Sequence, residues 1–224
     1  MSLKLYSYYR STASYRVRIA LNLKGLAYEY QGVRGLRKGE PDFTRHYHAL
    51  NPQGLVPLLV DGDVPLSQSL AIIEYLDELH PEPPLLPREP AARAHVRGIA
   101  LYIACDIHPL NIMRVRKYLT QPLGHSQEEK MEWYRHWAVT GFEALERMLV
   151  GSPHRGKCCH GDTPTLADLC LVPQVYNAER FKLPLDAYPT LKRIHDHCLT
   201  LPAFIAAQPH LQPDVSEYAP NEEY

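Results

Sequence analysis

Hydrophobic and polar positions change rhythm several times along the chain. Leu3 to Tyr6 alternate as a short strand does, and Ser14 to Lys24 then carry apolar residues at helical spacing up to Gly25, a residue suited to the position after a helix end. "AYEYQGV", residues 27–33, restores a strand pattern. Strand, helix and strand in so short a span predict a βαβ unit with a parallel pair, and strand twist makes its crossover right-handed. In "LVPLLVDGDVPLSQS", residues 55–69, two apolar runs flank Asp61-Gly62, which is a hairpin signal. From Ser69, "SLAIIEYLDELH" sets Leu70, Ile73 and Leu76 on one helical face and Glu74, Asp77 and Glu78 on another. The expected order is β-α-β followed by β-β-α.

The rhythm stops at "HPEPPLLPREP", where five prolines fall between Pro81 and Pro90 and no helix can continue. Beyond it strand patterns nearly vanish. "AARAHVRGIALYIACDI", "EEKMEWYRHWAVTGFEALERML", "TLADLCLVPQVYNAERF" and "TLKRIHDHCL" are helical in period, so this half should be all-α. Pro109 and Pro173 should end or kink their helices locally. The expected boundaries are residues 1–82 for an α/β domain, 83–90 for a linker, 91–212 for an all-helical domain, and 213–224 for a flexible polar tail.

Composition changes little in this picture. The chain has 224 residues, enough for two modest domains, with 45% apolar and 22% charged residues and a formal net charge of -1. That balance argues against a nucleic-acid surface or a disordered chain. No stretch approaches the ~20 apolar residues that span a bilayer, and the amino terminus lacks a signal-peptide core. The expectation is therefore a soluble, cytoplasmic protein that binds no membrane. Cys105, Cys158, Cys159, Cys170 and Cys198 are odd in number and form no CxxC pair, so they read as reduced thiols without a metal. The adjacent Cys158 and Cys159 are either incidental or, if exposed, redox-sensitive.

Candidate chemistry gathers in three places. Arg10, Ser11, Thr12 and Ser14 precede or open the first helix, whose N-terminus favours anions. They are either competing caps or donors to a ligand. Val56-Pro57 marks a turn or edge where a cis bond fits, leaving the Val56 backbone open to pair with a peptide. Gln68 and Ser69 open another helix, whose first turn can hold a carboxylate as well as a cap.

The ordered set "YYRSTASYRVRIALNLKG", "ALNPQGLVPLL", "SQSLAIIEYL", "CDIHPLN" and "DTPTLADLCLVPQVYNAERF" resembles the zeta class of glutathione transferases, and within it the maleylacetoacetate isomerases, from Lys4 to about residue 210. The resemblance implies a thioredoxin-like N-terminal domain with a mixed sheet, an all-helical C-terminal domain and a homodimer. It implies glutathione as cofactor and a small dicarboxylate as substrate. Carried over by position, Ser11 donates to the glutathione sulfur, Thr12, Ala13 and Ser14 complete that loop, and Val56, followed by Pro57, pairs with the cysteinyl backbone. Gln68 and Ser69 hold the γ-glutamyl end, and Gln53 reaches the same ligand. Among the hydroxyls, Ser14 is the expected helix cap.

Isomerising a maleyl double bond needs a nucleophile that adds, permits rotation and leaves. A thiol near pKa ~8.5 is mostly protonated at neutral pH, and lowering that value by ~2 units corresponds to about 2.7 kcal/mol of preference for the anion. The Ser11 hydroxyl and the first helix are the expected stabilisers. Arg10 is the expected cation for the developing enolate charge. The resemblance adds Arg180 for a substrate carboxylate, although a helix-end arginine also pairs with carbonyls. His108 is placed at the glutathione or substrate cleft, or is structural, and Asp106 either orients it or caps a break. Asp168 forms a capping box with Thr165.

Two departures stand out. Ser11-Thr12-Ala13-Ser14 replaces the family's common Ser-Ser-Cys-Ser, so a cysteine there is not essential. Ile112 and Met113 replace a common asparagine after "HPLN", giving a more apolar substrate wall. Conversion of maleylacetoacetate to its fumaryl isomer, in tyrosine and phenylalanine breakdown, is the leading implication. Maleylpyruvate isomerisation, general conjugation or haloacid dehalogenation on the same site, and a noncatalytic binding module stand as alternatives.

Overall fold

A computed structural model describes residues 2–33 and 41–218. The chain forms two compact units: one holds Met1–Leu85 and takes back the chain from Thr200, and the other is Leu86–Leu199.

The first unit is built on four strands, β1 (Leu3–Ser7), β2 (Tyr28–Gly32), β3 (Leu58–Asp61) and β4 (Val64–Ser67), in the order β2-β1-β3-β4. β1 runs parallel to β2 and antiparallel to β3, with Tyr6 opposite Leu58, and β3 pairs antiparallel with β4, with Leu58 opposite Ser67. Among the described residues three helices belong to it before the chain crosses over: α1 (Thr12–Leu23), α2 (Pro41–Leu50) and α3 (Ser69–Leu79). Gly25 adopts φ 64 just past α1, and Leu26 N–H bonds the Leu21 carbonyl at 3.0 Å, an arrangement that needs a residue tolerant of positive φ. Gly62 turns the β3–β4 hairpin at φ 58.

α2 lies between β2 and β3 and was not expected from the sequence. Of its ten residues only Tyr47 is fully buried, with Phe43 and Leu50, four before and three after it, half-buried on the same face. Tyr47 packs with Tyr6, Val33 and Leu58 as one cluster. Residues 34–40 lie outside the described residues.

The second unit contains α4 (Pro90–Leu101), a π-helical turn at Tyr102–Ile107, a 3-10 turn at His108–Leu110, α5 (Met113–Thr120), α6 (Gln127–Gly151), α7 (Leu166–Arg180) and α8 (Pro189–Cys198). Pro109 sits in the 3-10 turn where helix ends, whereas Pro173 lies inside an unbroken α7. Gly141 of α6 lets the π turn approach closely, since a Cβ there would meet Ile107 at 2.6 Å.

The boundaries drawn from sequence differ from the structure at both ends of the helical half. α9 (Pro202–Ala206), a 3-10 turn at Pro209–Leu211 and α10 (Val215–Tyr218) belong with the first unit, where α9 packs on α1. Arg18 and Asn22 of α1 donate to the Ala207 and Ala203 carbonyls at 3.1 and 3.0 Å. The expected flexible tail from residue 213 begins as anchored chain: buried Asp214 accepts from Tyr9 N–H at 3.1 Å and from Tyr30 Oη at 2.7 Å. Burial raises the Tyr30 pKa, so its hydroxyl keeps the proton it donates. Residues 219–224 of that tail lie outside the described residues.

Candidate active site

Strand register gathers the three sequence-derived segments of the first unit. β1 runs toward Ser7 and on to Ser11; antiparallel β3 begins at that same end, just after Val56-Pro57; and β4 finishes there before Gln68 and Ser69. The three segments therefore leave one edge of the sheet. This edge is where a strand's carboxyl end meets helix N-termini, the usual ligand position on α/β sheets.

At the first segment, Ser11 is the N-cap of α1. Its Oγ accepts from Ser14 N–H at 3.1 Å, and its carbonyl accepts from Tyr15 N–H at 2.8 Å. This reassigns the cap expected of Ser14, whose own buried Oγ has no partner among the described residues. The reason is geometric: Ser11 has extended backbone, with φ -66 and ψ 116, while Ser14 is already inside the helix. Capping uses one lone pair of Ser11 Oγ and leaves its proton to donate elsewhere. Thr12 is buried at the first helical position, and Ala13 is half-buried beside it. The Arg10 guanidinium lies 5.0 Å from the centre of the Tyr9 ring, and Tyr8 meets Tyr9 edge-on. Tyr6 packs in the core, whereas Tyr8 follows the last strand residue.

At the second segment the Val56-Pro57 bond is cis. Tyr47 Oη and Asn51 Nδ2 both donate to the Leu55 carbonyl, at 2.6 and 2.7 Å, and so pin the residue before Val56. Among the described residues no hydrogen bond uses the Val56 N–H or carbonyl. That leaves a short backbone edge able to pair with an extended peptide.

At the third segment Gln68 is the N-cap of α3 but makes no side-chain cap bond, and it stands at φ 72 and ψ 114. A positive φ outside glycine stores about 1–3 kcal/mol and is retained where the surroundings enforce it. Gln68 Nε2 instead donates to Gln53 Oε1 at 3.0 Å, so two predicted site residues meet. Ser69 is buried, and its Oγ accepts from Arg16 Nη1 at 3.2 Å. Sequence reasoning missed Arg16. A charged residue among the apolar positions of α1 was its one visible signal.

In the second unit, His108 opens the 3-10 turn after the π turn, and Met113, which is exposed, opens α5 after Ile112. Trp133 Nε1 donates to the Leu110 carbonyl at 2.7 Å, and Arg116 Nε donates to the Asn111 carbonyl at 3.1 Å, so this turn is fixed on both sides. Arg180 is the last residue of α7 and lies near the Tyr176 and Phe181 rings, at 5.9 and 5.5 Å. Asp106 is exposed on the π turn, and no hydrogen bond joins it to His108 among the described residues.

Asp168 is fully buried and serves the fold. It accepts from Cys159 N–H, Thr165 N–H and Thr165 Oγ1 at 2.8, 2.8 and 2.9 Å. Cys158 and Cys159 are buried as well, which removes the exposed-thiol reading. Burial pushes the Cys159 thiol pKa well up, and a hydrogen bond with Cys158 together with burial does the same to Cys198. Neither thiol is a nucleophile at neutral pH. No helix among the described residues is long and apolar enough to cross a membrane.

Comparison with known proteins converges on one group. Residues 5–84 match the N-terminal domain of glutathione S-transferase. The chain is 52% identical to a probable maleylacetoacetate isomerase of Vibrio cholerae over 214 residues, which covers 96% of this chain and 99% of that one. Its fold is similar to a holo maleylpyruvate isomerase described as a bacterial zeta-class glutathione transferase, with a TM-score of 0.89, 46% identity, and coverage of 94% and 99% of the two chains. A maleylacetoacetate isomerase of Methylobacterium extorquens with bound malonate and glutathione matches at a TM-score of 0.88 and 45% identity, covering 94% and 98%.

Proposed function

The chain belongs to the zeta-class glutathione transferase and maleylacetoacetate isomerase family, and from that premise we propose that it converts maleylacetoacetate to fumarylacetoacetate with glutathione as cofactor. The observation that carries this reading is the Ser11 hydroxyl, which caps α1 through its oxygen and keeps its proton for an anion at the helix N-terminus.

The residues fit glutathione: a cis-proline turn offers the unpaired Val56 backbone to a peptide, and an uncapped helix start offers N–H groups to a carboxylate. When bound, glutathione supplies a thiolate that adds reversibly to the maleyl double bond and so permits rotation about it. Ser11 donates to that sulfur and, with the positive end of α1, favours its ionised form. Thr12, Ala13 and Ser14 shape the loop around it. Val56, held by cis-Pro57 and the clamped Leu55 carbonyl, orients the cysteinyl backbone. Gln68, Gln53 and Ser69 hold the γ-glutamyl end. Arg10 balances charge developing on the substrate, and Arg180 takes a substrate carboxylate. His108 and apolar Met113 contribute to substrate or cofactor binding.

The reading extends to a cytoplasmic homodimer acting in tyrosine and phenylalanine breakdown. Five free cysteines suit a reducing compartment, and sedimentation equilibrium checks the dimer.

The test is an assay of the purified protein with maleylacetoacetate and with maleylpyruvate, each with and without glutathione, following isomer and free thiol together. The expected result is fumaryl product at constant thiol, faster with maleylacetoacetate. Consumption of thiol would instead mark a conjugating transferase, and turnover without glutathione would sink the proposal.

A further inference from the structure

α1 buries two arginines two residues apart, and the structure treats them differently. Arg18 is 0% exposed, and three of its nitrogens have acceptors: Nε to the Ala207 carbonyl at 3.1 Å, Nη1 to Ser7 Oγ at 3.3 Å and Nη2 to the Tyr9 carbonyl at 3.1 Å. It ties β1, the loop after it and the returning chain together, and needs nothing further.

Arg16 is 2% exposed, yet among the described residues its one hydrogen bond runs from Nη1 to Ser69 Oγ at 3.2 Å. Its Nε and Nη2 are buried without a partner, and among the described residues none forms an ion pair with it. A guanidinium carries five N–H donors and no acceptor, and leaving most of them dry beside a buried positive charge is costly. A buried positive charge that the protein leaves so poorly balanced calls for an explanation, and an anion held nearby in its field is the simplest one.

The location says where that anion sits. Ser69 is the first residue of α3, an eleven-residue helix whose N-cap offers no side-chain bond to its opening N–H groups. Because Ser69 Oγ accepts from Arg16, its own proton is directed elsewhere, and the hydroxyl becomes a donor in series with a buried cation. The positive end of α3 adds to the same field.

We infer that Arg16 is a positioning residue for the glutathione α-carboxylate: it orients the Ser69 hydroxyl as a donor and places a fixed positive charge behind the start of α3. This rests on the reading above that Gln68 and Ser69 hold the γ-glutamyl end. Discrimination for that carboxylate then belongs to a residue on α1, one layer behind the residues that touch the ligand.

The test compares glutathione with its analogue lacking the γ-glutamyl α-carboxylate, 4-aminobutyryl-cysteinyl-glycine, by titration calorimetry on the full chain, with melting temperature followed in parallel. Wild-type protein should bind glutathione about 100-fold more tightly than the analogue, the range of a charge-assisted bond lost from a buried site. Arg16→Met should reduce that preference to a few-fold while leaving analogue affinity within about twofold, and Arg16→Lys should restore part of it. Should Arg16→Met fail to fold, Arg16→Lys and Arg16→Gln carry the same comparison, each with a preference below that of wild type and an analogue affinity within about twofold of it. A purely structural Arg16 would weaken both ligands by the same factor, and that result overturns the inference while leaving the γ-glutamyl placement standing. Equal affinity of wild-type protein for both ligands would overturn the placement and the inference together.

Discussion

Helices α3 and α7 open with similar polar residues and come to opposite ends. At the start of α7, Thr165 and Asp168 form a reciprocal capping box, and Asp168 additionally accepts from Cys159 N–H, so its carboxylate is consumed by the protein. At the start of α3, Gln68 sits at positive φ and caps nothing with its side chain, while Ser69 is held from behind by Arg16. A satisfied helix start in a buried place stabilises the fold. One left unsatisfied costs stability and is retained where a ligand completes it. The start of α1 stands between the two, since Ser11 caps the helix and still has a proton to give.

Removing Asp168 should give the largest effect. Asp168→Ala leaves two N–H groups and the Thr165 hydroxyl buried without an acceptor, and the expected loss is about 3–5 kcal/mol of stability. Chemical denaturation measures it, and the fraction that remains folded should turn over at the wild-type rate. A variant that melts like wild type would erase the distinction between the two helix starts.

Ser11→Ala comes next and acts mainly on chemistry. Loss of one preorganised donor to a developing or stabilised anion typically lowers turnover about 100-fold, with about 1 kcal/mol of stability lost with the cap. Activity retained in Ser11→Ala and lost in Tyr8→Phe or Tyr9→Phe would move the sulfur contact to a tyrosine.

Ser69→Ala should separate binding from catalysis. Weakening of glutathione by about 10-fold is expected, with kcat at saturating glutathione within about threefold of wild type. A large fall in kcat at unchanged affinity would make the α3 start catalytic, contrary to its reading as a ligand clamp.

Acid should give the smallest effect, and it reports on the loop leading into α7. Burial, with nearby His154 and His95, lowers the His160 pKa from its ordinary 6.5, while Asp168 pulls it upward. The unfolded chain therefore takes up this proton before the folded chain does. Its contribution to stability is complete above pH ~6.5 and is lost as pH falls from there through the lower value of the folded chain. A melting series from pH 7.5 to 5.5 should show a shallower decline for His160→Gln than for wild type, and an identical slope would remove His160 from the account.

Much of the fold was legible because it is encoded locally. Asp61-Gly62 turns a hairpin wherever apolar strands flank it, and Thr165-x-x-Asp168 caps a helix by itself. The Ser11, Val56 and Ser69 segments were legible as a set, through their order along the chain. α2 was missed because its apolar stripe is the single set Phe43, Tyr47 and Leu50 in ten residues, and α5 because it buries one residue, Arg116, which leaves no period to detect. The return of the chain after Thr200 was missed because its anchors, Asp214 and the Ala203 and Ala207 carbonyls, act across nearly the whole chain length.

The sequence by itself determined the element types, the break at the proline-rich segment and the residues placed at one edge of the sheet, since each follows from short-range pattern and backbone chemistry. Tertiary structure alone decided that Ser11 and not Ser14 caps α1. It alone also decided that Arg16 and Arg18, alike on paper, differ in their hydrogen-bond partners. Burial and hydrogen-bond partners are set by what packs against a helix from elsewhere in the chain, and an arginine's surroundings are not written in its neighbours.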